Sequence, residues 1–276
     1  MDSFDTEIPP EDFPDKLNFR PLVLRTWFLA TFLGFNLFIV GLLVAITITQ
    51  HITLLDEWAY FVIQILPLII GTITSAGLEA IILALSRITP FIRCVQPGGD
   101  TAGNTILKTF YPLVGMRDAL KTKNYLLCVS HILLFGGGVI LALKASLLTA
   151  SYPDVSANVT EWTLGALFGI YVAIIAYIAF VMVFVNGRKT GLRNNWDIIT
   201  IADHLTLFRH SNLLRLFEGS SVATRESMDE VLGDVRLKLA YWKRRDDKVW
   251  YGFRVTNTNQ GVHAYSISLC LTFLAI

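Results

Sequence analysis

Charged residues are scarce in this chain. Of its 276 residues only 16% are Asp, Glu, Lys or Arg, whereas 53% are hydrophobic, and the mean hydropathy is +0.53. Soluble globular domains are about 25% charged, so this composition excludes an ordinary soluble domain. The net charge of +1 offers no basic footprint for nucleic acid, and we expect no nucleic-acid partner.

Cysteines are few, and the common catalytic motifs are missing. Cys94, Cys128 and Cys270 are too scattered to indicate a disulfide framework. The chain contains no HExxH, CxxC, Walker or GxSxG pattern, and His204 and His210 lack metal-ligand spacing to any cysteine. The sequence therefore predicts a protein that is not an enzyme and that has no cofactor and no metal site.

Long uncharged runs are what the chain has instead. Residues 163–185 contain no Asp, Glu, Lys, Arg or His. At a rise of ~1.5 Å per residue, a helix of this length crosses the ~30 Å hydrocarbon core of a bilayer. Three earlier runs are similarly apolar. We predict a transmembrane region over 27–185 with four spans, at about 27–49, 59–85, 125–148 and 163–185.

Basic residues indicate the orientation of these helices. Three Lys or Arg precede the first span, six lie in residues 86–124 and thirteen follow residue 185, whereas the two remaining loops have none. Because basic residues are retained on the cytosolic side, we expect the N- and C-terminal flanks to be cytosolic. The pattern does not distinguish the plasma membrane from an endomembrane.

The first residues have a different composition. Residues 1–20 contain six acidic residues and three prolines, too little apolar surface to offset the entropy of ordering. We therefore interpret residues 1–26 as a disordered acidic cytosolic arm. The predicted fold class is mainly α: a four-span transmembrane helical bundle with a small cytosolic α+β tail that contains a β-hairpin.

The tail covers residues 186–265. Apolar residues at three- and four-residue spacing favour amphipathic helices over 196–218, broken near Ser211. Alternating residues on either side of a polar turn then predict a β-hairpin over 235–255. Residues 266–276 are uncharged and form either a third strand or the start of a further span, and we favour the span.

Two ionisable residues lie inside predicted spans. Glu79 and His131 are each about six residues from the cytosolic end of a helix, hence at a similar depth of ~9 Å. An unpaired ionisable group there costs several kcal/mol, so such residues indicate function by default. The pair could relay protons or bind a cation. In the alternative that we favour, Glu79 reaches the inner headgroups and His131 donates to a backbone carbonyl.

Two further features indicate contacts or modification. Gly165, Gly169 and Ala173 form a small-residue face that permits close helix packing. We expect an intramolecular contact, with a homo-oligomer as the alternative. Asn158 begins the sequon Asn158-Val159-Thr160 in a predicted external loop, so it is a candidate for N-glycosylation. A chance sequon too close to the fourth span is an equally good interpretation.

Two stretches of the tail resemble recurring motifs in a group of fungal multi-pass membrane proteins. The stretches are NNWDIITIADHLTLFRHSNLLRLFEG and VRLKLAYWKRRDDKVWYGF. That group is classed only as a domain of unknown function. The motifs are Ser211-Asn212-Leu213-Leu214, Phe217-Glu218-Gly219, a Leu-x-x-Trp followed by Tyr-Gly, and Pro90-Phe91 after the second span. The resemblance covers nearly the whole chain beyond the arm, with Ala240 where the group usually has Gly. It implies either a single repeat unit or a truncated protein, and no known activity.

The sequence thus predicts an integral multi-pass membrane protein that acts as a scaffold or interaction protein. Its expected partners are the lipid bilayer and proteins that bind the cytosolic tail, with a homo-oligomer as the alternative to intramolecular packing of the small-residue face. The alternative is an ion or proton transporter or channel subunit that uses Glu79 and His131.

Overall fold

The structure is a computed structural model of the chain. It describes residues 6–13, 17–49, 51–53, 57–108, 115–145, 148–151, 156–159, 161–194, 196–217, 224–244 and 246–256. Two compact units divide the chain. The sheet unit comprises Met1–Arg20, Ile88–Thr109 and Lys189–Ile276, and the helix unit comprises Pro21–Arg87 and Phe110–Arg188.

Long apolar helices dominate the helix unit, because the backbone groups of an apolar run are hydrogen-bonded within the helix itself. The helices are α1 (Thr26–Thr49), α2 (Glu57–Cys94), the short α3 (Met116–Lys121), α4 (Tyr125–Ala145) and α5 (Glu161–Asn186). The last two turns of α2 belong to the sheet unit.

Three of these helices are long and apolar enough to cross a membrane. They are Thr26–Ala45, Ile65–Cys94 and Trp162–Asn186. The prediction of helices compatible with membrane insertion is therefore confirmed. The apolar stretch of α4, Tyr125–Ile140, is shorter, so the described residues supply three candidate spans where the sequence predicts four.

Helix α2 is longer than predicted. The second span is predicted to end near residue 85, whereas α2 continues to Cys94. The reason lies in the side chains of the added turns, because Ile88, Phe91 and Ile92 are all buried. Burial of their apolar surface stabilises helical structure beyond the predicted end.

Contacts between polar and small residues join the helices of the helix unit. The hydroxyl oxygens of Ser130 on α4 and Tyr177 on α5 lie 2.6 Å apart in a buried hydrogen bond. Gly137 on α4 lies close to α2, since a Cβ added there would come within 3.1 Å of Ser75 Oγ. Small residues of this kind allow two helix backbones to approach.

The two connections predicted as external loops contain strands, which corrects the sequence analysis. Strand β2 (His51–Thr53) and β4 (Leu148–Ser151) both pair antiparallel with β5 (Ser156–Val159). The pairing has a physical reason, because backbone N–H and C=O groups of two adjacent helix connections satisfy one another. Asn158 therefore lies in the central strand of a small sheet.

A second antiparallel sheet forms the sheet unit. Its strands are β1 (Thr6–Glu7), β3 (Asp100–Thr101), β6 (Arg236–Lys243) and β7 (Val249–Val255). Strand β7 pairs with β6 from Leu237 opposite Val255 to Lys243 opposite Val249, so the predicted β-hairpin is confirmed. Strands β1 and β3 pair with the two ends of β6.

The described residues of the N-terminal arm contact other segments of the chain, and the disorder of the arm stays a prediction. The N–H of Ile8 donates to the Tyr241 carbonyl at 3.0 Å, and Lys238 Nζ lies 2.7 Å from a Glu7 carboxylate oxygen. Leu17 is buried, and the Phe19 N–H donates to the Leu192 carbonyl at 3.0 Å. Partners distant in the chain therefore supply burial and hydrogen bonds that the composition of the arm does not reveal.

Three short helices complete the sheet unit: α6 (Ile201–Phe208), α7 (Leu213–Leu216) and α8 (Arg225–Leu232). Helix α6 begins later than the predicted residue 196, because Thr200 is its N-cap and forms a capping box with Asp203. The predicted break near Ser211 is confirmed, since Ser211 Oγ accepts from the Leu213 N–H at 3.1 Å. Residues 266–276, a strand or a span by prediction, lie outside the described residues.

Candidate functional site

A cleft of about 440 Å³ opens in the sheet unit. It is formed by the start of β7, the turn between α6 and α7, and the segment before α6. Its described lining consists of Arg193, Trp196, Thr206, Arg209, His210, Tyr241, Val249, Trp250 and Tyr251. Four of these residues are aromatic and two are arginines, so the cleft combines flat apolar surfaces with positive charge.

Strand register positions the aromatic residues. Tyr241 on β6 is directly opposite Tyr251 on β7, and their ring centroids are 5.2 Å apart. The Trp196 ring lies 6.1 Å from that of Tyr251 in an edge-on arrangement. The His210 ring meets Trp250 at 6.0 Å, also edge-on. These contacts hold the aromatic walls in fixed orientations before any ligand arrives.

The phenol of Tyr251 is fixed by a hydrogen bond. Its hydroxyl donates to the carbonyl oxygen of Gly191. Burial, reinforced by the neighbouring Tyr241, raises the pKa of Tyr251 well above its ordinary value. The hydroxyl therefore stays protonated and keeps its role as a donor.

Asp203 holds the indole of Trp196 in place. Trp196 Nε1 donates to Asp203 Oδ1 at 3.1 Å, while the backbone N–H and the hydroxyl of Thr200 donate to Oδ2, each at 2.8 Å. The Ile199 N–H adds a fourth bond at 3.2 Å. Hydrogen bonds to the charged form, first that from the Thr200 backbone, hold the pKa of Asp203 well below its ordinary value.

This network predicts an acid-sensitive contribution to stability. Because the pKa of Asp203 is depressed in the folded state, its contribution is present above the unfolded pKa of about 3.9 and is lost as the pH falls through the folded value. We expect Asp203→Asn to lower the melting temperature at pH ~6.5 and to flatten its decline toward pH ~2.5. Near-UV circular dichroism of the full chain in detergent measures both.

Asp234→Asn is the matched control, since Asp234 is exposed on the same unit and is no part of this network. It should leave the melting temperature and its pH dependence nearly unchanged. Equal effects of the two substitutions would contradict the assigned role of Asp203.

The charge of the cleft is positive because Arg193 and Arg209 line it, and none of its described lining residues is acidic. The imidazole of His210 adds a further polar group. Guanidinium groups donate paired hydrogen bonds in a fixed plane that matches carboxylate and phosphate oxygens. The arrangement therefore suits an anion whose remainder contacts the aromatic walls. The sequence alone does not predict this site. Two short groups of its lining residues are nevertheless close together in the chain: Arg193 with Trp196, and Val249 with Trp250 and Tyr251.

The two predicted intramembrane residues are not joined in the structure. Glu79 is exposed on α2, whereas His131 on α4 is fully buried. Neither ring nitrogen of His131 has a hydrogen-bond partner in the part of the chain that the structure describes. Among the described residues, His131 therefore forms neither a hydrogen bond with Glu79 nor the expected bond to a backbone carbonyl. A joint role of the two residues stays a prediction.

The small-residue face of α5 has no close neighbour among the described residues. Gly165 and Gly169 are exposed, as is Ala173, and a Cβ added to either glycine would meet no atom within 4 Å. The expected intramolecular contact is thus not found in the described chain, and packing against another copy stays a prediction. Glycosylation of Asn158 also stays a prediction. Within the described residues, no group of three or more His, Cys, Asp or Glu could hold a metal ion.

Comparison with known proteins adds one similarity. Residues 61–149 match the model of a family described as Protein of unknown function (DUF3433). The chain resembles a domain of unknown function there. The match covers about a third of the chain and includes most of α2 and all of α4. The tail motifs quoted above lie outside it, and no curated protein and no solved structure matches the chain.

Proposed function

We propose that this chain is a non-enzymatic integral membrane protein that acts as a scaffold or interaction protein, with the sheet unit as its cytosolic binding module. The cleft is the observation that carries the proposal. It brings two arginines and four aromatic residues together on a preformed surface. Concave sites with fixed aromatic walls and a few polar groups are typical of binding sites.

Assembly of the sheet unit from separated segments supports four spans. Segments before α1, after α2 and after α5 all belong to this one compact unit. Segments of one unit lie on one side of a membrane, so an even number of crossings separates the first from the last. With α1, α2 and α5 as candidate spans, α4 would be the fourth. Its 21 residues reach ~31 Å, enough for a bilayer core.

The distribution of charge supports a cytosolic position for the sheet unit. Arg188 and Lys189 lie just after the end of α5, and the three segments of the sheet unit together contain 16 of the 23 Lys and Arg residues of the chain. Basic residues next to spans are retained in the cytosol. A binding module placed there would meet cytosolic proteins, small molecules and the inner leaflet.

Site-specific photocrosslinking in native membranes tests the proposal. A benzophenone amino acid replaces Thr206, which lines the cleft, in the full chain. The matched control replaces Glu230, which is exposed on α8 and outside the cleft lining. We expect a discrete adduct at position 206 and none at position 230, identified by mass spectrometry. Absence of adducts at both positions, or identical adducts at both, would refute a binding role for the cleft.

One observation favours a transporter or channel subunit as the second candidate. His131 and Asn36 are fully buried in the helix unit, and neither ring nitrogen of His131 nor Oδ1 of Asn36 has a described hydrogen-bond partner. Unsatisfied polar groups at this depth call for an explanation such as an ion or water path. The exposed position of Glu79 weakens this candidate.

Flux measurements separate the two candidates. Purified protein in sealed vesicles should move protons and common cations no faster than empty vesicles do, and Glu79→Gln with His131→Ala should change nothing. If the wild-type protein moves ions and the folded double variant does not, the scaffold proposal is wrong and the protein is a transporter or channel subunit.

A further inference from the structure

We propose that the cleft binds a phosphate monoester group. The inference rests on the proposed role of the sheet unit as a binding module and names the ligand of that module. The residues that carry it are Arg193, Arg209 and His210 on the polar side, and Trp196 and Trp250 on the aromatic side.

Charge selects the ligand class. A phosphate monoester carries about −1.5 to −2 charges near neutral pH and three strong acceptor oxygens. The cleft offers two guanidinium groups and an imidazole, and none of its described lining residues is a carboxylate that would repel the ligand. One arginine suffices for a simple carboxylate. Two arginines and a histidine therefore match a phosphate better than they match a carboxylate.

The aromatic walls are held in place without a ligand. Trp196 is fixed by its bond to Asp203, and Tyr251 by its bond to Gly191. Preformed walls reduce the ordering that binding requires. The walls also provide a second contact besides that to the phosphate, because the group that carries the phosphate can pack against an indole ring.

Two sources supply such a phosphate: a soluble metabolite or a lipid headgroup. Helix α6, which contributes Thr206 to the cleft, also exposes Ile201 and Leu205 at 80% and 63% of their surface. Large apolar side chains exposed to this extent mark contact surfaces when they occur together. They favour a ligand with acyl chains, and the experiment compares the two sources directly.

Isothermal titration calorimetry on the full chain in phosphatidylcholine nanodiscs tests the proposal. The probes are glycerol 3-phosphate and dioctanoyl phosphatidic acid, which share a phosphate monoester on glycerol and differ in acyl chains. Dioctanoyl phosphatidylcholine, a diester, controls for partition into the nanodisc. Saturable binding of both phosphate monoesters shows that the headgroup suffices, and binding of phosphatidic acid alone assigns the lipid as the source.

Paired variants locate the binding. Arg209→Glu should weaken the affinity at least ~10-fold, because it replaces a charge-assisted donor by a like charge. Arg236→Glu makes the same change of charge at an exposed position outside the cleft lining, and it should change the affinity less than ~2-fold. Hydrogen exchange of the β6 amides checks that each variant is folded.

The outcomes separate this inference from the proposed function. Absence of saturable binding by folded wild-type protein overturns the phosphate ligand, as does equal weakening by the two variants. If the Thr206 adduct still forms in native membranes, the binding module stands and only its ligand class is wrong. If both binding and adduct are absent, both proposals fail.

Discussion

Phe253→Ala is expected to unfold the sheet unit or leave it on the margin of stability. Phe253 is only 2% exposed, and its ring stacks on Phe208 at 5.1 Å and on Phe91 at 6.0 Å. Truncating a buried Phe costs about 3–5 kcal/mol, since transfer energy is lost and a cavity remains. Whole domains are stable by only about 5–15 kcal/mol. The free energy of opening, measured by hydrogen exchange at β6 amides, should fall by this amount.

Val249→Ala is the control on the same strand. Val249 is 49% exposed, so its truncation should change the opening free energy by no more than ~0.5 kcal/mol. Protection of β6 that survives Phe253→Ala unchanged would mean that the three stacked rings are not the core of this unit.

Gly99→Ala is expected to detach β3 from β6. The N–H of Gly99 donates to the Gln96 carbonyl at 2.8 Å and closes a turn there. Gly99 has a φ of +62°. A side chain at such a φ costs about 1–2 kcal/mol. A Cβ there would also overlap the backbone carbonyl of Leu237 on β6, and overpacking of this kind costs about 1–3 kcal/mol more.

The neighbouring glycine provides a matched control. A Cβ added to Gly98 would meet only an Arg236 guanidinium nitrogen at 3.8 Å, an ordinary contact. Gly98→Ala should therefore be nearly neutral, whereas Gly99→Ala should lower the opening free energy of residues 100–101 and 236–237 by ~2–5 kcal/mol. Hydrogen exchange of those two segments distinguishes the variants. Equal effects would show that φ at Gly99 is not the constraint.

Local patterns predict part of this fold. The long helices follow from uncharged runs, because backbone groups in such runs are satisfied within the helix itself. The β6–β7 hairpin follows from alternating residues around a polar turn, because its partner strand is only a few residues away. Both signals are contained in a short window of sequence.

Non-local contacts account for what the sequence analysis misses. Strands β1 and β3 have two residues each, and their partners on β6 are more than a hundred residues away in the chain. A two-residue strand has no periodicity to detect. The cleft is missed for the same reason, since residues from 193–210 and 241–251 meet only in three dimensions. The exposure of Glu79 likewise depends on the rotation of α2 about its axis. The number of residues between Glu79 and the end of the helix does not determine that rotation.

The central position of β6 has a consequence for biosynthesis. The ribosome makes β1 and β3 early, but β6, to which both attach, appears only at residues 236–243. At ~5–20 residues per second, β3 waits roughly 7 to 30 s for its partner. During that interval its edge is unpaired and open to wrong partners. A nascent chain that stalls soon after α5 should therefore depend on a chaperone, whereas one that has passed Val255 should not.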